Sequence, residues 1–207
     1  IRELGVPVLE EVSAPTMFRI SDRKAPHNLY ADTELVRDVI DSKGYKFLQP
    51  GPQPLYPFGF DQNNWSTGAN KITIQYSDFT TVIWKMDGDR YSRFIIDAYS
   101  SEKDAVAHNF ISQDGNYTDI LSTETIVVIQ GALYKDKATT LPSILTVGIG
   151  DLYIFNDGKF VQGTWRRTDI SESFEFFDIN QNQIEVPPSS QWIHVVPNEG
   201  QIVWSNS

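Results

Sequence analysis

Cysteine is absent from all 207 residues, which excludes a disulfide framework, a thiolate nucleophile and thiolate-ligated zinc. No run approaches the roughly 20 apolar residues that a membrane-crossing helix needs. Basic side chains are scarce. Seventeen lysines and arginines against 27 acids leave a formal charge of −10. A surplus of that sign repels phosphate backbones, and the basic residues gather only at Arg19, Arg23 and Lys24 and at Arg166 and Arg167. Nucleic acid is therefore not an expected partner. Catalytic signatures are missing too: no G-x-S-x-G elbow, no H-E-x-x-H and no phosphate-binding G-x-x-x-x-G-K-[ST]. Gly148-Ile149-Gly150 lacks the third glycine and following helix of a dinucleotide site. Familiar hydrolase, kinase and dehydrogenase chemistry has no foothold in these motifs.

The remaining composition is that of a folded domain. Hydrophobic residues are 40% and aromatics 13%, too many for a disordered chain. The opening Ile1-Arg2-Glu3-Leu4-Gly5 reads as the last turn of a helix capped by Gly5, followed by a strand from Val6 to Leu9. Domains rarely begin with the end of a helix, so a larger N-terminal part is expected upstream. Residues 10–31 show little periodicity, and Pro15 and Pro26 favour an extended path. One helix then stands out. Asp32 or Thr33 can cap it, Leu35, Val36, Val39 and Ile40 share a face, and Gly44 stops it with Tyr45 placed to pack back. Four prolines between residues 50 and 57 make a semi-stiff connector. The chain divides accordingly into an α/β remnant over 1–48, a Pro-rich linker over 49–58 and a β-rich domain over 59–207.

Beyond the linker, short alternating runs are separated by turns. Ile72, Ile74 and Tyr76 alternate with polar residues, as do Val82, Trp84 and Met86. Turn signals recur at Asp87-Gly88, Asp114-Gly115, Asp157-Gly158 and Asn198-Glu199-Gly200. Ile126 to Ile129 reads as a fully buried strand. Tyr153 to Phe155 and Phe160 to Trp165 form one expected hairpin, and Phe174 to Asp178 with Gln183 to Val186 another. Trp192 to Val196 is expected to pair with Ile202 to Trp204. The pattern predicts a mainly β fold, an antiparallel β-sandwich or open barrel, with a small α/β N-terminal remnant.

Arg23-Lys24-Ala25-Pro26-His27-Asn28-Leu29-Tyr30 is the most distinctive segment. It resembles a corresponding stretch of the YerB-like bacterial lipoproteins, whose domains carry no assigned function. The likeness continues through Ile72 to Tyr76, Trp84, Tyr91-Ser92-Arg93 and Thr125 to Gln130. It returns at Gly148 to Gly150, Asp157 to Lys159, Gly163 to Trp165 and Trp192-Ile193. The resemblance implies an extracytoplasmic, envelope-associated protein, secreted or held by a lipid anchor that would lie outside this chain. It implies no reaction.

Two segments are candidate ligand sites. Arg19, Arg23 and Lys24 precede a helix N-terminus, where free N–H groups favour anions. His27 and Asn28 add polar groups there, and His27 is the one candidate general acid–base. A structural account competes: Pro26 sets an extended approach while His27 and Asn28 tie loop backbone to the neighbouring domain. The second segment is Trp165 with Arg166, an indole face and a guanidinium able to stack on a sugar or grip a carboxylate. Strand alternation offers a plainer account, with Trp165 inward and Arg166 outward.

Other motifs carry less. His27, His108 and His194 lack zinc-site spacing, and His194 is expected to face solvent or an inter-strand partner opposite inward Ile193 and Val195. Asp178, Asn180 and Asn182 begin like a calcium loop, yet Gln183 replaces the required glycine and Ser189 the closing glutamate. Asn64-Trp65-Ser66 and Asn116-Tyr117-Thr118 match glycosylation sequons, which mean little in a bacterial protein. No metal or cofactor is expected. The leading functional expectation is non-catalytic binding of a cell-wall polymer, an anion or an envelope protein. The alternatives are an enzyme acting on a cell-wall or phosphorylated substrate through His27, and a purely structural envelope domain.

Overall fold

The computed structural model describes residues 16–21, 24–25, 28–44, 53–97, 105–110, 119–135, 137 and 141–206. The chain forms two compact units, Ile1–Pro52 and Gln53–Ser207. In the first, β1 (Met17–Arg19) pairs antiparallel with β2 (Leu29–Ala31), and the Phe18 and Tyr30 rings stack across the pair. Helix α1 (Thr33–Ser42) follows. Asp32 is its cap: one carboxylate oxygen accepts from the Glu34 and Leu35 amides at 2.8 and 3.3 Å. Such a cap satisfies N–H groups that the first helical turn cannot pair internally. Gly44, at φ +64°, ends the helix in the left-handed conformation that favours glycine. The expected Val6–Leu9 strand and the Tyr45 contact lie outside the described residues.

The second unit begins at Gln53, inside the expected linker. Tyr56 is 1% exposed, its hydroxyl donates to Gln191 at 2.5 Å, and Phe58 bridges to Val186. These aromatic residues have a core to cover, and from Gln53 the stretch is part of the β unit.

Strand β3 (Ser66–Thr67) is followed by a meander of β4 (Lys71–Ser77), β5 (Thr80–Asp87) and β6 (Arg90–Asp97). Alternation sends Ile72, Ile74, Val82, Trp84 and Tyr91 inward, and Gly88 at φ +65° makes the β5–β6 turn. Short β7 (Val106–Ala107) and β10 (Ser122–Thr123) both pair with β6, while β8 (Asn109–Phe110) and β9 (Asp119–Ile120) pair with each other. Strand β11 (Thr125–Gly131) is buried along its whole length, as its unbroken apolar run predicts. A small hairpin of β12 (Leu133–Lys135) and β13 (Pro142–Ile144) precedes the hairpin of β14 (Gly148–Asn156) and β15 (Lys159–Arg167). Asp157 and Gly158, at φ 50° and 68°, form its expected turn. Strands β16 (Glu175–Asp178), β17 (Gln191–Pro197) and β18 (Gln201–Ser205) complete the unit.

Two larger sheets result among the described residues, ordered β10-β6-β5-β4-β18 and β16-β15-β14-β11-β17, and neither closes into a barrel there. Their facing sides share one core that includes Ile72, Trp84, Ile126, Val128, Phe155 and Val196. The other side of the second sheet has its own core, where Val127, Ile129, Leu152 and Trp165 meet Tyr56, Phe174, Phe176 and Val186. A strand buried on both faces reads as a continuous apolar run.

Strands β17 and β18 depart from expectation. They do not pair: β17 lies parallel to β11, and β18 pairs antiparallel with β4 in the other sheet. The chain turns a corner between the sheets at Pro197–Gly200, held by the Gln130 amide donating to the Pro197 and Gly200 carbonyls at 3.2 and 2.9 Å. Pairing with β11 also sets the phase of β17. Trp192 and His194 stand beside Ile126 and Val128 on the inter-sheet face, while Ile193 and Val195 are 37% and 38% exposed. His194 is therefore an inward residue, contrary to the expected orientation.

Candidate functional site

Five of the seven expected ligand residues belong to the first unit. Arg23 and His27 lie outside the described residues. Arg19 donates through Nη1 to the Asn28 side-chain oxygen at 2.7 Å, and Asn28 donates to the Ile20 carbonyl at 3.0 Å. Both side chains thus brace the connection between β1 and β2. Lys24 is exposed. The helix N-terminus, where an anion was expected, already holds the Asp32 carboxylate.

Trp165 and Arg166 point to opposite sides of β15. Trp165 is 1% exposed; its indole N–H donates to the Gln130 carbonyl at 2.7 Å and its ring meets Phe174 edge-on. Gly150 makes that position possible, because a Cβ there would stand 2.5 Å from the indole nitrogen. An indole so enclosed offers no face to a ligand, which corrects the expectation for Trp165. Arg166 lies 4.7 Å over the Phe177 ring and donates to Gln181 at 2.5 Å.

Next to Gln181 the structure forms a cleft that the sequence patterns do not single out. It encloses about 250 Å³ and is lined by Asp61, Asn64, Trp65, Val161, Asp178, Asn182, Gln183, Ile184 and Glu185. Trp65 packs against the outer core of the second sheet, giving the cleft a fixed aromatic wall. The loop carrying it is pinned: the Asn63 amide donates to Asp61 at 2.9 Å, the Trp65 amide to the Gln62 carbonyl at 3.1 Å, and the Gln62 side chain to Asn156 at 2.8 Å. Glu185 is drawn against the backbone of Gly59, where a Cβ would stand 1.6 Å from its Oε2. Glycine at 59 leaves the room in which this carboxylate lies.

The Asp178 carboxylate is spent locally. It accepts from the Asn180 and Asn182 amides, both at 2.8 Å, and from the Asn182 side chain at 3.0 Å. Those bonds hold its pKa below the usual carboxylate range, the Asn182 side chain contributing most. The loop that begins like a calcium site is thus a hydrogen-bonded turn, and no group of three or more metal-ligating acids or histidines occurs among the described residues.

What remains is an aromatic wall and apolar floor rimmed by amide and carboxylate side chains, with no lysine or arginine among the described lining residues. Such a surface suits a polyhydroxylated, uncharged ligand: C–H faces of a sugar ring stack on indole while planar polar groups bond its hydroxyls. The one sequence signal was the polar run Asp61-Gln62-Asn63-Asn64 closing on Trp65. Its partners at 182–185 come from a distant loop.

Fold and cleft together define a mainly β domain of two packed sheets with a cleft on the outer side of one. The chain belongs to the family described as protein of unknown function (DUF3048), C-terminal domain, whose model matches residues 71–193. A similar solved structure is that of the YerB protein from Bacillus subtilis, with a TM-score of 0.65 and 17% identity, covering 91% of this chain and 59% of that one. At that identity the likeness is one of fold, and the chain spans 59% of the length of the protein it matches. No curated protein matches the chain.

Proposed function

We propose that this chain is a non-catalytic, envelope-associated extracytoplasmic domain that binds a glycan in the Trp65 cleft. The observation carrying the reading is the lining itself: a pinned indole beside Asp61, Asn64, Asn182, Gln183 and Glu185, without a cation among the described lining residues. Of the ligands expected, a glycan, an anion or a partner protein, carboxylates at the rim favour the uncharged glycan over the anion. The extracytoplasmic setting rests on the resemblance to the YerB-like lipoproteins.

The test is calorimetric titration of the chain with soluble, uncharged cell-wall oligosaccharides, with a teichoic-type polyanion in parallel. A ligand at 100 times its dissociation constant also stabilises the fold by about 2.7 kcal/mol, which a thermal shift detects. The neutral oligosaccharide is expected to bind, and Trp65→Ala to weaken it by about tenfold through the lost stacking. Gln183→Ala, a change at an exposed rim position, serves as a second variant that leaves the core intact. Binding of the polyanion alone, or oligosaccharide binding untouched by both substitutions, would overturn the proposal.

A further inference from the structure

Strand β6 carries a guanidinium that the protein leaves largely uncommitted. Arg93 lies 4.8 Å from the Trp192 ring and 5.8 Å from the Trp84 ring, and a single N–H, on Nη1, donates to Nδ1 of His108. Its Nε is buried without a hydrogen-bond partner, and no carboxylate among the described residues pairs with it. This is unusual in a chain with ten more acidic than basic side chains. Arg93 is partly buried, and a cation taken even partly out of water is costly to hold unless an anion or several acceptors face it. Burial accordingly pulls the Arg93 pKa below the ordinary arginine value.

The described neighbours supply no negative charge. Tyr76 stays protonated, its pKa pushed up to about 12 by burial. His194 is neutral, its pKa pushed down to about 3 by burial and by the positive charge of Arg93. Two indoles and a neutral imidazole soften the electrostatic cost without cancelling it. The aromatic frame is also fixed in place. Trp84 donates to His194 at 2.8 Å, and Trp192 meets Trp84 edge-on at 5.6 Å. An arginine presents its donors as a planar fork. With Nη1 turned to His108, the edge made by Nε and Nη2 is the one that pairs two-pronged with a carboxylate or phosphate.

We propose that Arg93 anchors an oxyanion-binding site, in which a ligand carboxylate or phosphate docks on the Nε–Nη2 edge beside the Trp192 indole. None of its residues lines the Trp65 cleft, so this site and the glycan reading stand or fall separately. Trp84, Arg93 and Trp192 come from three strands of two sheets, and the sandwich brings them together.

The experiment is a titration of the ¹⁵N-labelled chain with inorganic phosphate and, separately, acetate, at ionic strength held constant with chloride. The readout is the Arg93 Nε–Hε cross-peak, assigned by its loss in Arg93→Lys. A saturable shift with either oxyanion, not reproduced by chloride, supports the site, and the tighter of the two identifies the oxyanion. Tryptophan fluorescence is expected to follow the same curve, weakened about tenfold or more in Arg93→Lys, which keeps the charge and loses the fork, and unchanged in Trp65→Ala. If phosphate and acetate move the cross-peak no more than chloride does, Arg93 is a stacked structural cation and the proposal fails. That outcome is read on the native chain, so it stands even if Arg93→Lys does not fold.

Discussion

Acid should weaken this fold through one imidazole well before it protonates the carboxylates. His194 is 1% exposed and sits between two side chains of the opposite sheet. The Trp84 indole N–H donates to its Nε2 at 2.8 Å, and Tyr76 meets its Nδ1. An indole nitrogen only donates, so Nε2 must carry a lone pair, and the neutral ring's proton sits on Nδ1, facing the Tyr76 oxygen. Protonating the ring would set two N–H groups against each other inside the core, beside the Arg93 charge. Burial first and Arg93 second push the pKa from 6.5 to about 3. Between those values the unfolded chain binds the proton and the native chain does not, so stability rises with pH there and is lost as pH falls below 6.5. The loss is about 1.4 kcal/mol per pH unit, or about 2 kcal/mol at pH 5 relative to neutral. Urea unfolding at pH 7 and pH 5, followed by tryptophan fluorescence, measures it. His194→Gln keeps an acceptor for Trp84 and cannot titrate, so it should lose about 2 kcal/mol less over the same interval. Equal losses in the two proteins would refute the buried neutral imidazole.

Two further predictions concern the β11–β14–β15 core. Trp165→Phe removes the 2.7 Å bond to the Gln130 carbonyl in a closed site, and should cost about 2–3 kcal/mol in urea unfolding. It should leave oligosaccharide affinity unchanged, whereas a lost affinity with an intact fold would return Trp165 to the ligand. Gly150→Ala places a Cβ 2.1 Å from the Gln130 carbonyl oxygen and 2.5 Å from the Trp165 indole nitrogen; a loss of about 2 kcal/mol or more is expected, and an unchanged melting temperature would contradict the close packing described.

Much of the β unit was legible because its signals are local. Alternation over Ile72 to Tyr76 and Val82 to Met86 marks half-buried strands, Asp157-Gly158 marks a two-residue turn, and the run around Ile126 to Ile129 marks a strand buried on both faces. Asp32 and Gly44 likewise bracket α1 through bonds made within a few residues. The sites were far less legible. Arg19 and Asn28 have the chemistry of an anion site, and the structure joins them by a hydrogen bond. Trp165 looks like a binding aromatic until the Gln130 carbonyl and Gly150 enclose it. Trp65 sits in an unremarkable sequon-like triplet and gains meaning only from Asn182, Gln183 and Glu185 across the cleft.

The amino-acid sequence by itself determined the strand texture, the turns, the helix caps and the acidic balance, all of which depend on neighbours in the chain. Only the tertiary structure decided the partners of β17 and β18. Sequence proximity favours a hairpin, yet β11 lacked a neighbour on one side and β4 exposed a free edge. Joining each outweighed pairing the two strands with each other. That choice turned His194 inward by setting the register against β11. It also brought Trp84, Arg93 and Trp192 into contact from three strands. Long-range pairing of this kind leaves no periodic mark in the sequence, because it is set by which exposed backbone edges and apolar faces remain to be covered once the local elements have formed.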